Sequence, residues 1–166
     1  MSPIPLFGIH FTFSLALSAL VAKWYVVPAL NKLPVQGALV PLFLLHALRY
    51  LPSTAFAPGQ VAAEVPRDAM AAIAYGDLIS AVLALIAALV LHYRARGAIA
   101  VAWIVNVATS LDWLYASFLA ASNQLVAHPM GGNWYIVGYY VPAIGIAHVV
   151  MFGQLLRSAP AMAKVA

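Results

Sequence analysis

Apolar positions along the chain gather into five long runs, residues 4–22, 35–51, 69–93, 98–122 and 134–156, each closed off by Pro, Gly, Asn or a charge. A helix needs about 20 residues to cross a bilayer. The pattern therefore predicts an all-α integral membrane bundle of five transmembrane helices, forming one domain over residues 1–166. Between the runs lie "KWYVVPALNKLP", "PSTAFAPGQVAAEVPRD", "RARG" and "NQLVAHPMGGN", which suit short connections or interfacial turns. No internal repeat, low-complexity tract or linker divides the chain, and no soluble domain is expected.

Composition sharpens this reading. Hydrophobic residues make up 65% and charged residues 7%, against roughly 45–50% and about 25% in soluble domains. A water-soluble fold is excluded. Eight Lys and Arg against four Asp and Glu leave a formal charge of +4, but the basic residues stand singly at the ends of apolar runs. They report topology rather than a nucleic-acid surface, so the bilayer is the expected partner and nucleic acid is not. Cysteine is absent, which removes disulfides, thiolate metal sites, thiol catalysis and palmitoylation.

Lys23 and Lys32 fall in the first connection, Arg94 and Arg96 in the third, and Arg157 and Lys164 in the tail. Five spans bring all six to one side, which the positive-inside rule makes cytoplasmic. The expectation is a multi-pass protein of the cell inner (plasma) membrane, N-terminus out and C-terminus in. The second connection carries Arg67 beside Glu64 and Asp68, and the fourth has no formal charge. "SLALSALVA" looks like the core of a signal peptide, but it lacks a basic segment before it and its lysine comes after; an N-out helix is expected instead. Trp24, Tyr25, Trp134 and Tyr135 stand where interfacial anchors belong.

An ionisable side chain at membrane depth costs at least ~2.5–3.5 kcal/mol, so it should face protein or a wet cavity. His10, His46, Arg49, Asp77, Asp112 and His148 are such residues, with Ser80, Asn106, Thr109 and Ser110 as uncharged company. Counted from the outer boundary, Arg49 falls at ~5 Å, His10 and His46 at ~9 Å, Asp77 at ~12 Å, Asp112 at ~15 Å, and Asn106 and His148 at ~20–25 Å. His46 and Arg49 of "LFLLHALRYLP" share one helix face, Asp77 and Ser80 another, and Asn106, Thr109 and Ser110 a third. Asp112 lies off the Asn106 face. The expected ligand-binding set is His46, Arg49, Asp77, Asn106, Asp112 and His148, forming a pocket in the outer half; a purely structural ion-pair network is the alternative. Gly138, Pro142 and Gly145 share a side of the last run, where small residues permit close helix approach. His92 and His128 end their spans and should be solvated.

Five histidines raise the question of haem. Axial ligation needs two imidazoles at one depth on facing helices. His46 and His148 differ by ~12 Å on this count, whereas His10 and His46 agree. No cofactor and no metal site is expected, with haem binding kept as an alternative. HExxH and GxSxG are absent, so metalloprotease and serine-hydrolase chemistry find no support. Gly131–Gly132 is too short to be a phosphate loop.

From the second run onward, "HALRYLPSTAF", "YGD" and "YVPAIGIAHVVMFGQLLR" resemble the emopamil-binding and sigma-2 receptor group, the EXPERA domain. The resemblance covers two thirds of the chain. It implies a four-helix membrane unit with both ends cytoplasmic and a pocket for a sterol-like or other lipophilic ligand, with acid–base isomerase chemistry. His46 and Asp77 are the catalytic candidates it carries over. The extra first helix, and an outer loop rich in Ala and Pro rather than acidic residues, depart from that group.

These readings converge on a small polytopic protein that binds a hydrophobic or amphipathic small molecule, lipid or sterol-like. Proton- or ion-coupled transport is the second class; with five helices and no inverted repeat it would call for a homo-oligomer. A non-catalytic assembly factor or subunit, packing its small-residue faces on a partner, is the third.

Overall fold

The computed structural model describes residues 3–162, with side chains as far as Arg157; Lys164 of the tail lies outside the described residues. Five helices are each long and apolar enough to cross a membrane: Pro3–Leu30, Val35–Phe56, Arg67–His92, Ala98–Ser122 and Asn133–Arg157, the last continuing as helical backbone to Met162. They are called here the first to fifth helices.

The first helix runs past residue 22, where the sequence suggested a connection. Pro28 lacks an amide proton and its ring crowds the preceding turn, which ordinarily ends a helix. Here the five residues Ala22–Val26 form a π-turn that widens the backbone just before it, and the helix resumes as Val27–Leu30. Lys23 is consequently an exposed helical residue and only Lys32 lies in the short connection. The fifth helix repeats the device: a π-turn at Ile136–Tyr140 precedes Pro142. In the second helix, regular α-structure ends at Ala47 and nine residues, Leu48–Phe56, continue as 3-10 helix around Pro52.

The second to fifth helices form the tightly packed unit, and the first lies outside it against the fifth helix and the turn at Leu125–Ala127. At one end, here the upper, the Ala62 amide donates to the Pro129 carbonyl at 3.0 Å and Thr54 Oγ1 to Asn133 Oδ1 at 3.1 Å, joining the second and fourth connections. Gly131, at φ +51°, lies so close to the Gln60 carbonyl that a side chain there would collide with it. At the lower end Arg157 and Gln154 both donate to Asn31 Oδ1, at 2.8 and 3.0 Å, tying the fifth helix to the end of the first.

Apolar packing forms two separate clusters. The lower holds Leu39, Phe43, Ala84, Ala87, Leu91, Ala102, Met151 and Leu155, where alanines on the third helix let its neighbours approach closely. The upper holds Ala55, Val65, Met70, Leu125 and Met130. On the second, third and fourth helices the buried polar residues fall in the stretch between the two clusters, as does His148 on the fifth, whose Asn133 and Gln154 are buried nearer its upper and lower ends. The bundle thus has a polar layer between two apolar ones.

Candidate functional site

Arg49 is the centre of the upper part of this layer. Its Nε donates to Asp77 Oδ1 at 2.7 Å, Nη1 to the Thr109 carbonyl at 2.8 Å, and Nη2 to Asp112 Oδ2 at 2.6 Å while also lying 2.6 Å from Asp77 Oδ1. Ser80 Oγ donates to the same Asp112 oxygen at 2.8 Å. One guanidinium, with its side chain 2% exposed, therefore ties the second helix to the third and fourth. The planar fork of Arg suits such a multi-point role.

Asp112 lies off the Asn106 face, yet it joins the group. It is three residues from Thr109, whose carbonyl also binds Arg49, and so it rises along the same side of the fourth helix. Gly76 makes the approach possible, because a Cβ there would overlap Asp112 Oδ1. With that carboxylate held by Arg49 and Ser80, it has nowhere to retreat. Gly76→Ala is therefore expected to cost about 1–3 kcal/mol, as overpacking does. Chemical denaturation should show the cost shrinking in an Asp112→Ala background; an equal cost in both would mean that the glycine is there for another reason.

Below Arg49 a second group assembles. The His46 and His148 rings lie 4.2 Å apart between centroids, at 49° to one another. Asn106 Oδ1 and Ser110 Oγ are 3.0 and 2.9 Å from His148 Nδ1, and Ser110 donates to the Asn106 carbonyl at 2.6 Å. Trp113 stands over this group, its ring 6.4 Å from that of His148, its Nε1 donating to the Val141 carbonyl at 3.2 Å. It packs where Gly145 has no side chain; a Cβ there would come within 2.8 Å of the indole.

This pairing corrects the ~12 Å separation in depth expected for His46 and His148. The sequence count began at Leu51, but the second helix runs on to Phe56, and a 3-10 helix rises ~2.0 Å per residue rather than ~1.5 Å. Counted from Phe56 and Asn133, both histidines come out at roughly 20 Å. His10, which the same count put level with His46, lies elsewhere: its ring packs on Trp134 at 5.2 Å and Tyr139 at 5.6 Å. Neither histidine pairing has the geometry for axial haem ligands, since the His46 and His148 rings touch and leave no gap for a porphyrin. Among the described residues, no three His, Asp or Glu side chains converge as a metal-binding group. His92 is exposed and His128 half-buried.

His46 and Asn106 are fully enclosed, and two concavities of about 360 and 450 Å³ lie on the upper loops, around Pro129–Trp134 and Ala55–Met70. Of the two catalytic candidates, Asp77 is engaged by Arg49 while His46 has no hydrogen-bond partner among the described residues; the two are not hydrogen-bonded to each other. Tyr140, whose hydroxyl donates to the Leu45 carbonyl at 2.8 Å, was not anticipated. Nothing in "GYY" marks it off from an interfacial anchor.

The two groups differ in how completely they are satisfied. Arg49 is bonded through all three of its nitrogens, whereas both nitrogens of His46, Nε2 of His148 and Nδ2 of Asn106 are buried without a partner among the described residues. No curated protein and no solved structure matches the chain. Residues 6–156, which take in nearly the whole bundle, match the family described as Domain of unknown function (DUF8737), and the chain belongs to that family.

Proposed function

We propose that this is a multi-pass protein of the cell inner membrane, N-terminus out and C-terminus in, that binds one amphipathic small molecule inside the bundle, with the ligand's polar end at His46, Asn106 and His148. Of the five buried polar atoms without a partner among the described residues, four lie here, the fifth being Asn133 Nδ2 at the upper end, and these four carry the reading. Leaving a buried donor or acceptor unsatisfied costs about 1–3 kcal/mol, and native proteins pair the great majority of such groups. A layer holding several of them side by side is built to be completed by something else. The π-turn in the helix that bears His148 supports this, since such turns recur at functional sites and give a helix a place to flex.

On this view Arg49, Asp77 and Asp112 are the frame and the His–Asn group is the contact. Catalysis is not part of the reading, because Asp77 is held by Arg49 while His46 is hydrogen-bonded neither to it nor to any other described residue. Proton-coupled transport is the second reading: Arg49, Thr109, Asn106 and His148 are linked through one stretch of the fourth helix. The lower cluster of Leu39, Phe43, Leu91, Met151 and Leu155 weighs against it, standing as an apolar barrier below the polar layer.

Solvent extraction of the purified protein followed by mass spectrometry tests the binding. One lipophilic species, near one per chain, should leave with the wild type and be depleted in His148→Phe; identical lipid profiles from both proteins would refute the reading. For orientation, a reporter fused after Lys164 is expected to read cytoplasmic, and export of the reporter would reverse the assignment.

A further inference from the structure

The unpartnered atoms also specify what kind of polar group would answer them. Ser110 spends its one hydroxyl proton on the Asn106 carbonyl, 2.6 Å away, so it turns lone pairs toward His148 Nδ1 at 2.9 Å. That nitrogen must therefore carry a proton. The same N–H meets Asn106 Oδ1 at 3.0 Å, which fixes the amide with Nδ2 pointing away from Nδ1 of the ring. A neutral His148 then presents a bare lone pair at Nε2, and Asn106 presents donors at Nδ2. His46, bonded at neither nitrogen, supplies one donor and one acceptor and is free to adopt either tautomer.

Resting on the ligand reading above, we infer that the site takes a neutral head group that both donates and accepts a hydrogen bond, a hydroxyl on a lipophilic body. A carboxylate or phosphate brings acceptors only and would set a negative oxygen against the His148 lone pair. An ammonium brings donors only and leaves Asn106 Nδ2 unanswered. Either ion would also need an opposite charge in a poorly solvated layer. The nearest charged groups, Arg49, Asp77 and Asp112, are already committed to one another. A hydroxyl is the smallest group that meets both demands, which suits two rings only 4.2 Å apart.

The test compares four probes of one chain length, 1-hexadecanol, hexadecanoate, hexadecylamine and hexadecane, added at equal mole fraction to the protein in nanodiscs, with the rise in Tm as readout. Hexadecanol should give a saturable rise and the other three none. Asn106→Leu and His148→Phe, each of which removes one unpartnered atom together with the hydrogen bond between the two side chains, should each weaken the hexadecanol response about five- to tenfold, the loss of one hydrogen bond to the head group. A saturable response to hexadecanoate or hexadecylamine instead would overturn the neutral head group while leaving the ligand reading intact. A response to hexadecane equal to that of hexadecanol would overturn both, by showing that the chain alone is recognised and that no polar end is received at these side chains. If no probe acts saturably, and the wild-type protein yields no extracted species either, both inferences fall together.

Discussion

Replacing Arg49 with Gln is expected to destabilise the protein by about 3–5 kcal/mol, the range seen when one partner of a buried ion pair is removed. The loss comes from what is left behind. Asp77 and Asp112 both point at the same guanidinium, Asp77 Oδ1 within 2.7 Å of two of its nitrogens and Asp112 Oδ2 at 2.6 Å. Without it, two carboxylates share a poorly solvated space and only Ser80 still donates to one of them. Asp77→Asn and Asp112→Asn should each cost less than Arg49→Gln, since in either case the arginine keeps one carboxylate and the Thr109 carbonyl. The triple change Arg49→Gln, Asp77→Asn, Asp112→Asn should recover much of the loss, because it removes the unpaired charges together. Denaturation in detergent reads all four. A cost for Arg49→Gln below ~1 kcal/mol would place the group in solvent, where ion pairs are worth that little.

His46→Leu should act with the opposite sign. The ring is fully buried and forms no hydrogen bond among the described residues, so an apolar side chain of similar size removes two unsatisfied groups and keeps the packing. A gain of about 1–3 kcal/mol in the ligand-free protein is expected. The same change should abolish the saturable response to hexadecanol. Stability gained and binding lost together is the signature of a residue kept for a ligand. If His46→Leu is instead destabilising by the amount usual for a core truncation, His46 is a packing residue and the ligand reading loses its main support.

The pairing of Arg49 with Asp77 was legible because an apolar run cannot carry a charge without a partner, and only a few residues at comparable depth offered one. Asp112 was harder to place. Its face of the fourth helix looked wrong until Gly76 showed that the third helix leaves room for it, and one glycine beside one aspartate in "YGD" does not announce a close approach. The five helices were legible from their apolar runs, but not where the first and second of them end. Lys23 and Pro52 read as closing their runs, but the first helix continues past Lys23 and absorbs Pro28 behind a π-turn, and Pro52 lies within a 3-10 segment. That error in the second helix carried over to depth and hid the contact between His46 and His148. Periodicity places a residue on a face; it does not reveal the pitch of the helix that carries it.

If His46, Asn106 and His148 receive the polar end of a ligand, density from the protein in a lipid environment will show it there. The expected result is an elongated non-protein feature whose end lies about 2.7–3.2 Å from His148 Nε2 and Asn106 Nδ2, a hydrogen-bonding separation. Density limited to isolated waters on these atoms, or rings bonded directly to each other with no feature leading away, would contradict it.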